Sequence, residues 1–512
     1  MTPPEGELAR RQIRGSSLLL TGQTFAVLAG LAAQVVIVRY LSEEGYGAFA
    51  YALSIAMIGE SVAAFGMRRG VSRFLPIYEE QGDLRKAAGT LLFAIATVLA
   101  LGLAVVLSVI SFRGAIAGTF ADDSTAVTVI AIMIALAPIQ ALNALLDGVF
   151  AVFSRPRAIV IRRFLLTPLL RLGVVVVLAA READLEVLAV GYVAAAGLGL
   201  LLYVPMLAGV LKHHGFTGHL RRGGFEVPAR TVLGFTVPLL SNDITAALLN
   251  AANAIVLGIF ATPEAVAELR SVLPLALTMG YVLSSFGLLF VPLAARLFAR
   301  SEPRELNQLY WRTAVWTTVL AFPIFLTCLT LAEPLTVLLF GERYASAAPV
   351  LAVLAVGQFV NTAAGHNGVL LGVFGRVRFI AATNVLAIAA NLILLLLLVP
   401  PYEAIGAAVA TAATFVVLNA IRQVGLARRT DVSSLNREVL PTYAAIVAAT
   451  AAVGAIDLAL SPPVGIEIAL VVLASASVGF VARRSLALED TFPELARLPL
   501  LRTLLGARKT GG

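Results

Sequence analysis

The sequence predicts an all-α polytopic membrane protein. Of its 512 residues, 59% are hydrophobic and only 13% are charged, whereas about 25% of the residues of a soluble globular protein are charged. The mean hydropathy is +0.92. A soluble core of this size could not bury so many apolar side chains and still present a wettable surface. The composition therefore excludes a soluble enzyme, a nucleic-acid-binding protein and a disordered chain.

Fourteen apolar segments are long enough to form membrane-spanning helices, which need about 20 mostly apolar residues each. The N-terminal segment is too long for the apolar region of a signal peptide, so we expect no cleavage there. The connecting segments are short, and no soluble domain interrupts the spans. The predicted spans are 16–38, 47–67, 89–112, 125–150, 164–180, 187–210, 231–258, 269–295, 313–332, 349–372, 379–399, 406–424, 441–459 and 466–482.

The basic residues predict that both termini are cytoplasmic. Most of the 38 Lys and Arg residues fall on the side of the N-terminus, while the acidic residues divide evenly between the two sides. This partition of the bases alone follows the positive-inside rule, and it accounts for the net charge of +8 without a nucleic-acid partner. The exceptions are Arg171, within a span, and five residues in outer loops, Arg39, Arg113, Arg181, Arg270 and Arg343.

An internal repeat divides the predicted spans into two halves. Residues 152–157 read VFSRPR after span 4, and residues 373–378 read VFGRVR after span 10. Gln140 in span 4 corresponds to Asn361 in span 10. Because six spans separate the copies, both halves have the same orientation. Parallel repeats of this kind are a transporter architecture, with the ligand site between the halves.

The repeat predicts three segments. Residues 1–230 form an N-terminal lobe of six helices, and residues 231–440 form a C-terminal lobe of six helices. Residues 441–512 hold helices 13 and 14 and a cytoplasmic tail.

Polar side chains inside the predicted spans are the candidate site residues. A charged group at a helix centre costs at least ~2.5–3.5 kcal/mol on insertion scales, and so marks function by default. Regular spacing places Asn143 and Asp147 on one face of span 4, and Asp243 and Asn250 on one face of span 7. The alternative is hydrogen bonding between helices alone or, for Arg171, a structural pair with Asp147 or another acid. The candidates are Arg39, Glu60, Asn143, Asp147, Arg171, Asp243, Asn250, Asn361 and His366.

Three motifs, in order, carry a family resemblance. Residues 37–47 read IVRYLSEEGYG at the end of span 1, and residues 65–83 contain FGM, RFLP and GD. Residues 406–411 read GAAVAT at the start of span 12. Together with the number of spans, these motifs resemble the Wzx-like lipid-linked oligosaccharide and polysaccharide flippases of the MOP (multidrug/oligosaccharidyl-lipid/polysaccharide) superfamily.

The resemblance implies the MOP flippase fold, with two helical lobes around a central cavity. It implies alternating-access transfer of a lipid-linked glycan to the outer leaflet of a plasma membrane, in polysaccharide biosynthesis. Membrane lipid is a further partner, and glycan-assembly proteins are expected neighbours. Arg171 could then bind the diphosphate of a polyprenyl carrier by charge-assisted hydrogen bonds. Glu60, Asp147 and Asp243 are candidates for a coupling cation, Na⁺ or H⁺, and no other cofactor is expected.

Alternative functions remain open at this point. The chain could be a peptidoglycan lipid II flippase of the same superfamily, a MATE-type cation-coupled exporter, or a membrane glycan polymerase or ligase. An enzyme has little support because no outer loop is large and no phosphate-binding G-x-x-x-x-G-K-[ST] motif occurs. We therefore predict no catalytic residue. One cysteine, Cys328, excludes an intramolecular disulfide and a cysteine-based metal cluster.

Overall fold

The computed structural model describes the backbone of residues 5–112, 114, 124–153, 160–216, 224–430, 432–433 and 436–486. Side chains are described in these ranges except at residues 5–21, 124, 151, 160, 162–163, 238–250, 288–289, 292, 299, 429 and 484. All regular structure in these ranges is helical. The chain divides into two compact units, Met1–Arg270 and Ser271–Gly512.

The first unit is a bundle of helices. A π-helical segment, Val160–Leu166, leads directly into the helix that carries Pro168 at its first turn. The helices are α1 (Glu5–Tyr40), α2 (Glu43–Ala64), α3 (Met67–Glu80), α4 (Leu84–Ser111), α5 (Ser124–Met133), α6 (Leu136–Val152), α7 (Thr167–Ala180), α8 (Leu185–Leu201), α9 (Tyr203–His213) and α10 (Ala229–Phe260).

The second unit begins within a long helix that starts in the first unit. A 3₁₀ turn, Glu342–Ala347, connects two helices of the second unit. The helices are α11 (Pro263–Ala299), α12 (Pro303–Thr330), α13 (Ala332–Phe340), α14 (Ala348–Ala363), α15 (Asn367–Val373), α16 (Val377–Arg429), α17 (Leu440–Leu460) and α18 (Val464–Leu486).

Eleven helical segments of the described residues are long and apolar enough to cross a membrane. The predicted all-α polytopic class is therefore confirmed. The number of fourteen spans stays a prediction, although a described helix overlaps every predicted span. The count of eleven is lower than fourteen for two reasons. Helix α16 covers two predicted spans in one segment. Two further apolar helical segments, Phe164–Ala180 and, within α10, Ala251–Phe260, are too short to be counted.

A kink divides α16 at the predicted loop between spans 11 and 12. Glu403 has non-helical backbone angles, with φ 47° and ψ −125°. Pro400 and Pro401 precede it, and proline removes a backbone donor from the helical ladder and clashes with the preceding turn. The two parts of α16 therefore form a tight helical pair.

Residues 67–80, which follow predicted span 2, form helix α3. Phe65 and Gly66 adopt left-handed conformations and end α2. Helix α3 buries Met67, Val71 and Phe74 on one face and exposes basic residues on the other. This alternation of buried apolar residues and exposed basic residues has the helical period.

Each unit has its own apolar core, and small residues bring helices close together. In the second unit, a Cβ added to Gly357 of α14 would lie 2.5 Å from the Cα of Ala412 in α16. Close approach at small residues is how membrane helices gain packing contacts. Helices α17 and α18 pack on α12 and so belong to the second unit by packing. The predicted three-segment division is defined by topology rather than packing, and it stays a prediction.

Candidate functional site

Arg171 lies on α7 with its guanidinium over an aromatic ring. The Cζ atom is 5.1 Å from the ring centroid of Tyr192 in α8. Phe49 of α2 meets the same tyrosine edge-on, with 5.4 Å between ring centroids. The Nε atom of Arg171 is buried and has no hydrogen-bond partner. Aromatic rings stabilise a cation by their quadrupole, but they leave its N–H donors unused.

Arg171 forms no ion pair with any described residue. The pair with Asp147, which the sequence left open, is therefore absent from this structure. The Nε donor of Arg171 is thus unused, on a helix whose only other polar side chain is Thr167.

Asp147 is instead held by Tyr203, which the sequence analysis did not single out. The Tyr203 hydroxyl donates a hydrogen bond to Asp147 Oδ1. Phe150 stacks on the same tyrosine ring, with centroids 4.8 Å apart. Asp147 is only 8% exposed and Tyr203 is fully buried, so the pair lies in the core of the first unit. A tyrosine in an apolar helix gives no sequence signal that distinguishes this contact from an ordinary core position.

The polar face predicted for span 4 occurs on α6. Asn143 Nδ2 donates to Gln140 Oε1 at 3.4 Å, and Asn143 is buried one turn before Asp147. The Asn143 Oδ1 atom has no hydrogen-bond partner. This face therefore continues from the Asp147–Tyr203 contact toward Gln140.

The remaining candidates of the first unit are less informative. Arg39 is exposed in the last turn of α1, and Glu60 is half-buried in α2. Both have interaction partners. The side chains of Asp243 and Asn250 lie outside the described residues. The roles predicted for these four residues stay predictions.

Arg270 was counted as a basic residue of an outer loop, but the structure packs it within the first unit. Its Nη2 atom donates to Ser54 Oγ at 2.6 Å. Gln34 Nε2 donates to the Arg270 carbonyl oxygen at 2.9 Å and lies 3.3 Å from the hydroxyl of Tyr46. These contacts tie the start of α11 to α1 and α2.

In the second unit, His366 lies at the break between α14 and α15. Gly365 has φ 64° and ends the first of these helices. The imidazole stacks on Phe290, with 4.8 Å between centroids, and its Nε2 lies 3.1 Å from the Leu283 carbonyl oxygen. Its Nδ1 atom is buried without a partner. When Nε2 carries the proton, Nδ1 is an unused acceptor.

Asn361 belongs to a chain of amides that the sequence analysis recognised only in part. Asn419 Nδ2 donates to Asn361 Oδ1 at 3.0 Å, and Asn367 Nδ2 donates to Asn419 Oδ1 at 3.1 Å. One turn beyond Asn419, Arg422 Nη2 donates to Asn384 Oδ1 at 2.6 Å. We call Asn361, Asn367, Asn384, Asn419 and Arg422 the asparagine cluster.

The sequence contained a signal for this cluster. Asn384, Asn419 and Arg422 are polar residues within or at the end of predicted spans 11 and 12. Arg422 was counted among the basic residues on the cytoplasmic side, together with Arg428 and Arg429. Its spacing of three residues from Asn419 would have placed both on one helix face.

Comparison with known proteins identifies the family. Residues 13–298, more than half of the chain, match the sequence model described as Polysaccharide biosynthesis protein. The chain belongs to this polysaccharide biosynthesis family. A membrane protein of Methanocaldococcus jannaschii, MJ1068, is 27% identical to this family member over 151 residues. That match spans 29% of either chain.

Solved structures similar to this polysaccharide biosynthesis protein share its fold. The lipid II flippase MurJ, in an inward closed conformation, has a TM-score of 0.68 at 13% identity, over 92% of this chain and 99% of that one. An inward-facing MATE multidrug transporter of the MOP superfamily has a TM-score of 0.63 at 14% identity, over 81% and 98%. The predicted family and MOP fold are thereby confirmed, and the apolar helices agree with a multi-pass membrane protein.

Proposed function

We propose that the protein moves a lipid-linked oligosaccharide, carried on a polyprenyl diphosphate, from the cytoplasmic to the outer leaflet by alternating access. The product would serve surface polysaccharide or glycan biosynthesis. Membership of the polysaccharide biosynthesis family supports this substrate class. The fold shared with a solved lipid flippase supports a transport mechanism.

Arg171 is the observation that carries the proposal. Its guanidinium stacks on Tyr192, its Nε is buried without an acceptor, and no described carboxylate pairs with it. A cation retained in a membrane helix without an acid partner is costly unless an anion reaches it in some state. The diphosphate linkage is the constant anionic part of a substrate whose sugars vary. A guanidinium binds phosphate oxygens through two parallel hydrogen bonds, which a lysine cannot do.

Coupling and location complete the proposal. We propose that a proton or Na⁺ drives transport through Asp147, Glu60 or Asp243, since a carboxylate within a span is costly and typical of such relays. The protein would lie in the plasma membrane with both termini cytoplasmic, as its basic residues predict. Membrane lipid surrounds it, and glycan-assembly proteins would supply and use its substrate.

Two transport alternatives have some support from the fold. A lipid II flippase and a MATE exporter both share the architecture. Neither likeness exceeds 14% identity, so it carries no information on the substrate. The family match to polysaccharide biosynthesis favours the oligosaccharide.

The experiment compares three probes in proteoliposomes that contain the purified full chain. A fluorescent polyprenyl-diphosphate oligosaccharide, fluorescent lipid II and a cationic dye are tested for movement across the membrane. The proposal predicts fast movement of the first probe, measured as fluorescence that becomes accessible to a membrane-impermeant quencher. Movement of the dye or of lipid II without the oligosaccharide would contradict it. A change in glycan length in the same vesicles would reveal a polymerase or ligase.

A further inference from the structure

A cavity of about 420 Å³ lies at one end of the second unit, apart from the residues discussed above. It is bounded by the end of α12, the first turn of α13 and the 3₁₀ turn that leads into α14. Ligand pockets usually measure about 300–1,000 Å³, so the cavity can hold a small molecule or a lipid headgroup. Small residues form much of its wall, among them Ala332, Ala345 and Ala352, and its polar side chains are those of Thr330, Glu333 and Ser346.

The position of the cavity corresponds to the depth of lipid headgroups. Predicted span 9 ends at residue 332 and predicted span 10 begins at residue 349, and the cavity is lined by residues next to both limits. Headgroups occupy the layer just outside the hydrocarbon core of a bilayer. The surrounding bilayer therefore presents its headgroups at the level of the cavity.

Glu333 is the charged residue of the cavity wall, and no described residue neutralises it. It is exposed in the first turn of α13 and forms no ion pair with any described residue. Arg343, in the adjacent 3₁₀ turn, stacks on Tyr344, with its Cζ atom 5.4 Å from the ring centroid. The Glu333 carboxylate is thus available to a cation from outside the protein.

Other polar groups at the cavity add hydrogen-bond acceptors. Thr330 donates its hydroxyl proton to the Leu326 carbonyl oxygen at 3.0 Å, so its own oxygen can only accept a further hydrogen bond. Leu329 and Thr330 are the last residues of α12, where the final carbonyl groups lack helical donors and carry partial negative charge. The ligand that suits this wall is a cation with several N–H donors, and an ammonium group has three.

The residues of the wall also narrow the kind of cation. No group of three or more His, Cys, Asp or Glu residues that could hold a metal ion occurs among the described residues. Quaternary ammonium groups such as choline are typically recognised by aromatic rings, and none of the described lining residues is aromatic. A primary ammonium instead donates its protons to carboxylate and hydroxyl oxygens. The wall therefore favours a primary ammonium over a metal ion or a choline group.

Two sets of contacts hold the wall in place. Thr336 Oγ1 donates to the carbonyl oxygens of Ala332 and Glu333, each at 2.9 Å, and so fixes the first turn of α13. Tyr344 anchors the 3₁₀ turn, because its side chain is fully buried and meets Phe340 edge-on, with 6.1 Å between ring centroids. The acceptors thus belong to a supported frame, as a preorganised binding site requires.

We propose that this cavity binds the headgroup of a phospholipid that carries a primary ammonium, as phosphatidylethanolamine does. The ammonium lies against Glu333 and Thr330, and the glycerol part of the lipid lies along the alanine residues of the wall. The site is separate from the proposed transport function, because it uses none of the residues assigned to substrate or coupling ion. The competing role of Glu333 is structural, since an acidic residue in a first turn also stabilises a helix through its dipole.

The test measures lipid binding to the purified full chain in detergent by native mass spectrometry. The probes are phosphatidylethanolamine, phosphatidylcholine and phosphatidylglycerol with identical acyl chains. We expect the wild type to bind the first lipid about three- to tenfold more tightly than the other two, the range between an exposed ion pair and a charge-assisted hydrogen bond. Glu333→Gln should abolish this preference. Glu342→Gln, at an exposed glutamate of the 3₁₀ turn that does not line the cavity, is the matched control and should retain it.

Ala352→Leu separates the lipid site from a purely structural role of Glu333. It keeps the carboxylate but fills part of the cavity, so it should weaken phosphatidylethanolamine while the unfolding temperature stays near that of the wild type. Equal binding of the three lipids by the wild type would overturn the inference. An unchanged preference in folded Glu333→Gln or in folded Ala352→Leu would overturn it as well.

A competition experiment distinguishes the lipid from an amino sugar, which also carries a primary ammonium. Phosphoethanolamine and glucosamine are added separately, at equal concentration, to the wild type loaded with phosphatidylethanolamine. We expect phosphoethanolamine to displace the lipid and glucosamine to displace much less of it. Displacement by glucosamine to the same extent or more would overturn the lipid assignment, because the cavity would then serve an amino sugar.

Discussion

The Tyr203 hydroxyl donates a hydrogen bond to the Asp147 carboxylate in the buried core of the first unit. The contact joins α9 to α6, and Phe150 covers the tyrosine ring. Removing the donor from a buried carboxylate costs more free energy than an ordinary hydrogen bond contributes, because the carboxylate is left unsatisfied. Asp147, one of the candidates for a coupling group, therefore has a buried hydrogen-bond donor that should also stabilise the fold.

Removal of the Tyr203 hydroxyl should show how much this contact stabilises the protein. Tyr203→Phe leaves the ring in place but removes the donor, so we expect a loss of about 1–3 kcal/mol of stability. Thermal unfolding of the purified protein in detergent measures it. Tyr402→Phe, at a 62% exposed tyrosine, is the control and should unfold like the wild type. Equal unfolding temperatures for the two variants would show that the contact contributes nothing.

Asp147→Asn tests coupling separately, because the amide keeps the shape and can still accept from Tyr203. The variant should fold but transport without dependence on an ion gradient. Wild-type gradient dependence in a folded Asp147→Asn protein would remove Asp147 from the coupling candidates.

Close packing of α14 on α16 predicts a sharp difference between two helical glycines. Gly357→Ala would bring its Cβ against Ala412 and should destabilise the second unit by about 1–3 kcal/mol, the usual cost of overpacking. Gly454→Ala, where nothing lies within 4 Å, should be neutral or slightly stabilising because alanine favours the helix. Thermal unfolding of both variants checks this prediction. A neutral Gly357→Ala would mean that the helices separate easily at this point.

Membrane orientation can be measured with single cysteines in a Cys328→Ala background. Cysteines at the exposed positions Ser42 and Glu403 should react with an impermeant thiol reagent in intact cells. Cysteines at Gln81 and Arg428, also exposed, should react only after lysis. The opposite pattern would invert the orientation that the basic residues predict.

Asp83 gives a pH-dependent prediction at the start of α4. The backbone N–H of Lys86 donates to its carboxylate at 3.0 Å, and this bond, with help from the Lys86 ammonium, holds the pKa of Asp83 below its usual value. A lowered pKa in the folded state means that the ionised carboxylate stabilises the protein at neutral pH. That contribution is lost as the pH falls through the folded-state pKa. Asp83→Ala should therefore lower the unfolding temperature at pH 7 but have a smaller effect in acid. A constant difference across this range would contradict the assignment.

Sequence periodicity predicted those features that depend on one helix. The spacing of Gln140, Asn143 and Asp147 placed them on one face, and the structure agrees. Contacts between distant helices were not predictable in the same way, because nothing in the local pattern ties Tyr203 to Asp147. Arg422 was missed for a different reason: near a helix end, a basic residue that points inward and one that sets membrane orientation have the same sequence signature.

Transport by Arg171 variants tests the central claim most directly. The rate of movement of a fluorescent polyprenyl-diphosphate oligosaccharide is measured in proteoliposomes with matched amounts of folded protein. Arg171→Ala should slow it about tenfold or more, because a charge-assisted contact contributes ~1.5–3 kcal/mol. Arg171→Lys should recover only part of the rate because it keeps the charge but not the planar fork. The matched control is Arg181→Ala, at an exposed arginine that follows the same helix, and it should transport like the wild type. Wild-type transport by folded Arg171→Ala would contradict the account.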